Sequence, residues 1–303
     1  NPAFPDRPIS LRQLLSHTSS IRDYDDQYAV PLGGSVRAVM ADSTSWDLEH
    51  PPGTSFFTYS NMNFPLVASI VERITGTRFD IWMRANVIEP MKLDACFNWP
   101  TCSDSAVARA VQLSAPDGSP IRDDLHGKRP DCPVYVVDPT PCDLSLWRLG
   151  ENGALFAPQG GLRISARDLA RVGRMLLNGG SLDTVRILSP QSVETLLAPT
   201  WRYDGSNGDT DNGFYCAYGL ATHTIASKGR GCRDDPAGDG IVRVGHAGDA
   251  YGLRSGLWID RSSGTGVAFF VTGLGEDPPL GTSAFRAAEE LAFQRALSLL
   301  RGR

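Results

Sequence analysis

Lysine is almost missing from this chain. Of 29 basic residues only Lys92, Lys128 and Lys228 are lysines. No run of basic residues accompanies them, and the net charge of -5 leaves no cationic stripe for a nucleic-acid backbone. No apolar stretch is long enough to span a bilayer. Cys-x-x-Cys and Cys/His spacings of the zinc-binding kind are absent, so no metal and no cofactor is expected. Histidine is sparse, at five residues, and no internal repeat or linker divides the 303 residues. Asn1 to Pro8 is polar and proline-rich and does not itself read as a secretory leader.

Among what is present, the six cysteines fall into three sequence-local pairs: Cys96 with Cys102, Cys132 with Cys142, and Cys216 with Cys232. Local disulfides suit a periplasmic or secreted protein. With 41% hydrophobic residues the chain carries enough apolar mass for one large core or two modest ones.

Helix signals dominate the first two thirds. Ser10 is placed to cap a short helix over 11–15, and Ser165 to cap one carrying Leu169, Val172, Met175 and Leu176. Ser189-Pro190 opens another. The spacing of Phe64, Val67, Ile70, Val71 and Ile74 predicts an amphipathic helix that stops at Gly76, and a second helical segment covers about 79–87. From 96 to 158 proline, glycine, aspartate and cysteine break the pattern, which reads as an insertion of loops. The period then changes. Strands are expected over 218–224, 241–244 leading to His246, 252–260 and 266–272, the last two joined by a hairpin at 261–264. A terminal helix over 282–300 is expected to turn Phe285, Ala288, Leu291, Ala292 and Leu299 inward. The fold class expected is α+β: an antiparallel sheet flanked by helices, with a large helical region. Residues 1–303 are read as one domain, in which 9–200 is mainly helical with the 96–158 loop insertion, and 215–303 is the sheet meander and closing helix.

Two short motifs carry chemistry. Tyr59-Ser60-Asn61 lies between a Pro-Pro-Gly turn and a helix, and His246-Ala247-Gly248 ends a strand. With Leu14-Leu15-Ser16-His17-Thr18-Ser19, Pro52-Gly53 and Gly160-Gly161-Leu162 through Asp168-Leu169, their order resembles the serine β-lactamase and penicillin-binding-protein superfamily, on the class C, DD-peptidase and family VIII esterase side. Ser20 stands where that family usually has glycine.

The resemblance implies acyl transfer through an acyl-serine, on a small ester, amide or peptide-like substrate. It makes Tyr59 the base that activates the serine, and His246 a second catalytic group facing it across one cleft. Asn61, Gly248 and Asp249 become substrate-binding, with the Asp249 N–H in the oxyanion hole. The family's Ser-x-x-Lys motif is nowhere in the chain: no serine precedes Lys92, Lys128 or Lys228 by three. The nucleophile and the N-terminal part of the sheet are therefore expected to lie outside these residues, and residues 1–303 to be inactive alone. The alternative is a non-catalytic homologue that binds peptidoglycan-like or acyl ligands in the same cleft. An esterase or peptidase is favoured over a β-lactamase because histidine, rather than Lys-Thr-Gly, opens the third motif. His17 is expected to serve its own turn; His50, His126 and His223 receive no role. The acidic loop 204–211 lacks the terminal Glu of a calcium loop. Oligomeric state is not readable.

Overall fold

The computed structural model describes residues 1–122, 126–275 and 277–301. It divides into two compact units, one of residues 1–108 and 127–164, the other of residues 109–126 and 165–303.

The first unit holds helices α1 (Leu11–Leu15), α2 (Val36–Met40), α3 (Asn63–Thr75), α4 (Phe79–Met83) and α5 (Asp104–Ala108). Ser10 caps α1 in a reciprocal box with Gln13. Gly76 ends α3 in the left-handed conformation, φ 66°. After α4 the chain continues directly as a π-helix, Arg84–Ile88, so helical structure covers the segment expected over 79–87. A two-residue ladder pairs Cys96–Phe97 with Leu162–Arg163.

The burial of α3 departs from its apolar spacing. Ile70 and Ile74 are exposed, at 36% and 79%, while Ala68, Ser69 and Glu72 are buried. Close backbone approach explains this. Segment 150–153 lies so near α3 that a Cβ on Gly153 would overlap the Pro65 carbonyl and Ser69. Only small side chains fit there. Fully buried Glu72 then accepts the Phe79 N–H at 3.1 Å and the Gly150 N–H at 3.0 Å. Burial raises its carboxyl above the usual range. Glu72→Ala orphans both donors, and is expected to cost about 2 kcal/mol in urea unfolding.

The second unit is built on a six-stranded antiparallel sheet: β1 (Trp201–Arg202), β2 (Ala217–Tyr218), β3 (His223–Ile225), β4 (Arg243–Ala250), β5 (Leu253–Asp260) and β6 (Thr265–Val271), in sequential order. Tyr251 and Gly252, both with positive φ, make the tight turn between β4 and β5. The single strand expected over 218–224 is instead the short hairpin β2–β3. Gly219 is pressed against the Leu196 and Ala198 carbonyls, and its N–H reaches the Thr222 carbonyl. That contact turns the chain back.

Alternation along β5 sorts the two faces. Leu257 and Ile259 meet Gly173 of α6 (Ala166–Leu177), and Ile259 also packs with Val193 and Leu197 of α7 (Pro190–Leu197). Trp258 packs with Phe285, and with Phe293 of α8 (Ala287–Arg301), on the other face. Helices therefore cover both faces of the antiparallel sheet, as the α+β expectation had it.

Helix α8 begins later than expected and is turned differently. Leu291 and Leu299 are exposed, whereas Phe293, Glu289 and Glu290 are buried. Residues 282–285 are not helical because Glu290 captures them. Its carboxylate accepts the backbone N–H groups of Thr282 at 3.0 Å and Ser283 at 2.7 Å. Two buried glutamates thus displace two leucines from the inner face. Disulfides join Cys96–Cys102, Cys132–Cys142 and Cys216–Cys232, the three sequence-local pairs. Among the described residues no helix is long and apolar enough to cross a membrane.

Candidate active site

In the first unit, Tyr59, Ser60 and Asn61 form the turn that enters α3. Asn61 does not cap that helix with its side chain. The cap position is Met62, which has no side-chain cap of its own. Asp23, from the loop after the His17 segment, does the capping from a distance. Its Oδ2 accepts the Asn61 N–H at 2.7 Å and the Asn61 side-chain amide at 3.0 Å. Its Oδ1 accepts the Ser60 hydroxyl at 2.8 Å and the Met62 N–H at 3.1 Å.

His17 holds the other side of the turn. It is buried, and its Nδ1 accepts the Ser60 N–H at 3.0 Å. The Tyr59 ring stacks on the imidazole, with centroids 4.3 Å apart. Ser19 donates to the Asn63 side-chain oxygen at 2.7 Å. The Leu14-to-Ser19 segment is thus the mould in which Tyr59-Ser60-Asn61 is set, and His17 serves that turn, 43 positions along the chain, rather than its own turn as expected. Ser20, with φ 66°, shows what glycine would supply there; its hydroxyl donates to the Asp47 carbonyl at 2.9 Å. Burial, and then the negative charge of Asp23, push the Tyr59 phenol well above its ordinary value. A proton-accepting Tyr59 needs a cation beside it.

In the second unit, His246 lies on β4 opposite Leu257. Its Nε2 is 2.9 Å from the Tyr218 hydroxyl, and its Nδ1 lies against the Ala247 carbonyl oxygen. A carbonyl only accepts, so Nδ1 carries the proton and Nε2 accepts from Tyr218 in the neutral ring. Burial lowers the His246 pKa, which favours that neutral ring. His223, pushed down to about 3 by burial and by His246, is the centre of an aromatic box of Phe214, Tyr215, Trp258 and Phe285. Gly248 faces Ser255, and Asp249 faces Arg254, with which it forms an ion pair.

Beside His246 an apolar cavity of about 370 Å³ opens between this face of the sheet and α6 and α7. Leu169, Val172, Leu176, Leu196 and Leu257 are among its walls. Among the described residues no group of three or more His, Cys, Asp or Glu could hold a metal ion.

Tyr59 and Asn61 are therefore together in one unit, and His246, Gly248 and Asp249 together in the other. Asp23, Tyr218 and Glu289 escaped the sequence reading. Asp23 sits in an acidic run, 23–26, that reads as solvated surface. Tyr218 was assigned only to a strand. Glu289 falls within the expected terminal helix but is not among the residues expected to turn inward.

A family model described as Beta-lactamase matches residues 1–292. A 6-aminohexanoate-dimer hydrolase from Paenarthrobacter ureafaciens is 29% identical over 231 residues, covering 69% of this chain and 45% of that enzyme. Penicillin-binding protein 4 of Amycolatopsis lactamdurans is 24% identical over 92% of this chain and 63% of its own length. The chain thus spans less than half of the first of these relatives and under two thirds of the second. Among solved structures, the D-amino acid amidase from Ochrobactrum anthropi SV3 superposes over 99% of this chain and 74% of its own, with a TM-score of 0.63 and 17% identity. That similarity speaks to the fold.

Proposed function

The chain belongs to the beta-lactamase family, and from that premise we propose that it is the base-bearing and oxyanion-bearing portion of a serine hydrolase that cleaves an ester or amide through an acyl-serine. The single observation that carries this reading is the Tyr59-Ser60-Asn61 turn. It is held by Asp23 on one side and His17 on the other, with the Tyr59 ring stacked on the His17 imidazole.

Tyr59 takes the proton of the attacking serine hydroxyl, which then bonds to the substrate carbonyl carbon. Burial and Asp23 both oppose a phenolate, so the mechanism requires a cation at Tyr59, and the family's motif lysine is the group of the right kind. Asn61 orients a substrate amide or carbonyl. The Asp249 N–H is one oxyanion donor and the N–H of the nucleophile the other. Gly248 keeps the strand open to an extended acyl group. His246, neutral and tied to Tyr218, contributes a fixed hydrogen-bonding surface and no charge. Residues 1–303 are proposed to belong to a single hydrolase domain. The 6-aminohexanoate-dimer hydrolase among the relatives supports a hydrolase that cleaves an ester or amide. Three disulfides support a periplasmic or secreted setting.

Residues 1–303 hold no Ser-x-x-Lys, so the nucleophile comes from outside them. The same observation favours the second reading, a homologue that binds peptidoglycan-like or acyl ligands without turnover. A fluorophosphonate probe separates the two. It is expected to label a protein extended upstream through a Ser-x-x-Lys helix, and to leave residues 1–303 alone unlabelled. Labelling of 1–303 alone would place the nucleophile within it; no labelling of either would leave the binder. In the labelled protein, Tyr59→Phe is expected to lower the acylation rate ~10²-fold in stopped-flow measurements with a chromogenic ester.

A further inference from the structure

We propose that Asp23 is the positioning residue of the Tyr59–Asn61 site: its carboxylate fixes which way the Asn61 amide points and clamps the turn that presents Tyr59. This rests on the functional reading above for its catalytic part and on geometry alone for the rest.

An asparagine side chain can be turned by half a rotation at little cost, exchanging its oxygen and nitrogen. At this site the choice is forced. A carboxylate offers no donor, so the amide nitrogen of Asn61 must face Asp23 Oδ2, as it does at 3.0 Å. The same Oδ2 accepts the Asn61 backbone N–H at 2.7 Å, which pins the side chain relative to its own backbone. Oδ1 spans the residues on either side through the Ser60 hydroxyl and the Met62 N–H. All four donors come from three consecutive residues, so the carboxylate works as a template for the turn. The Asn61 amide oxygen has no hydrogen-bond partner among the described residues. The clamp therefore leaves an acceptor available for a substrate N–H or a lysine ammonium, and forbids a donor there.

The same negative charge opposes ionisation of Tyr59. Burial is the larger cause, and Asp23 adds to it.

The test combines NMR and a double-mutant cycle. In the wild-type chain of 303 residues, a scalar coupling across the hydrogen bond is expected between the Asn61 side-chain amide nitrogen and the Asp23 carboxyl carbon. This needs no variant. Asp23→Asn is expected to displace the same amide signals and to lower the Tyr59 pKa, read from 13C-labelled tyrosine and assigned with Tyr59→Phe. In the protein extended to include its nucleophile, Asp23→Asn is expected to lower kcat/KM about 10-fold, and far less when Asn61 is already alanine. Absence of that coupling, with amide signals indifferent to Asp23→Asn, would overturn the clamp. Additive effects in the cycle would overturn the positioning role and leave Asp23 as a helix cap. Absence of any turnover in the extended wild type would overturn the hydrolase reading, while the two NMR results would still decide the clamp.

Discussion

Gly245→Ala is expected to destabilise the second unit by about 3 kcal/mol or more, or to prevent its folding. Gly245 pairs with both His223 and Trp258 in the middle of the sheet. A Cβ there falls well inside van der Waals contact with the Leu257 carbonyl oxygen, a backbone atom of the adjoining strand. Backbone cannot rotate away, so β4 and β5 must separate and forfeit ladder bonds on both sides. Gly248→Ala is the informative control. Its Cβ would meet the Ser255 hydroxyl, the movable end of a side chain, and about 1 kcal/mol is expected. Urea unfolding of the two variants decides the matter; equal costs would mean that ladder geometry is not what makes Gly245 indispensable.

The second large effect is electrostatic. Glu289 is 3% exposed. Burial pushes its carboxyl up to about 7, against partial compensation by Arg254; Asp249 raises it further and Arg286 opposes. The native state therefore holds a proton that the unfolded chain, with a carboxyl near its ordinary value, releases. Between those two values the folded state binds more protons, so stability falls as pH rises through the window and the loss is complete above about 7. A shift of this size corresponds to about 3 kcal/mol at most. Glu289→Gln keeps the shape and removes the titration. Denaturant unfolding at pH 5 and pH 8 is expected to show wild type losing markedly more stability than the variant over that interval. Asp234, held up at about 6 by burial, imposes a similar slope on both proteins and cancels in the comparison. Parallel pH profiles would remove Glu289 from the account.

Expectation and structure agree where the deciding chemistry lies within one turn of chain and part where it comes from distant loops. Local chemistry was legible. Ser10, Ser165 and Ser189 each accept from the backbone N–H three residues on, and Gly76 closes α3, because a cap is decided within one turn of chain. The strands 253–260 and 265–271 and their connecting turn were legible for the same reason. What hydrophobic periodicity could not supply was the phase of helices that bury charge. Glu72 faces inward because Phe79 and Gly150 offer it two N–H groups, and Glu290 because Thr282 and Ser283 do. Those donors are invisible until the loops have found their places. Asp23 was missed for a related reason: its partners lie 37 to 39 positions further along the chain. The Tyr-x-Asn and His-x-Gly motifs were legible as motifs. The groups that govern their protonation, Asp23 and Tyr218, were not.

The covalent cross-links of this chain close loops of 6, 10 and 16 residues. Ring closure costs less entropy the shorter the ring, so in an oxidising refolding buffer each thiol meets its native mate before any distant one. Material recovered from inclusion bodies is therefore expected to regain correct pairing by simple air or glutathione oxidation, without an isomerase, and mispaired species should form a minor fraction on a non-reducing peptide map.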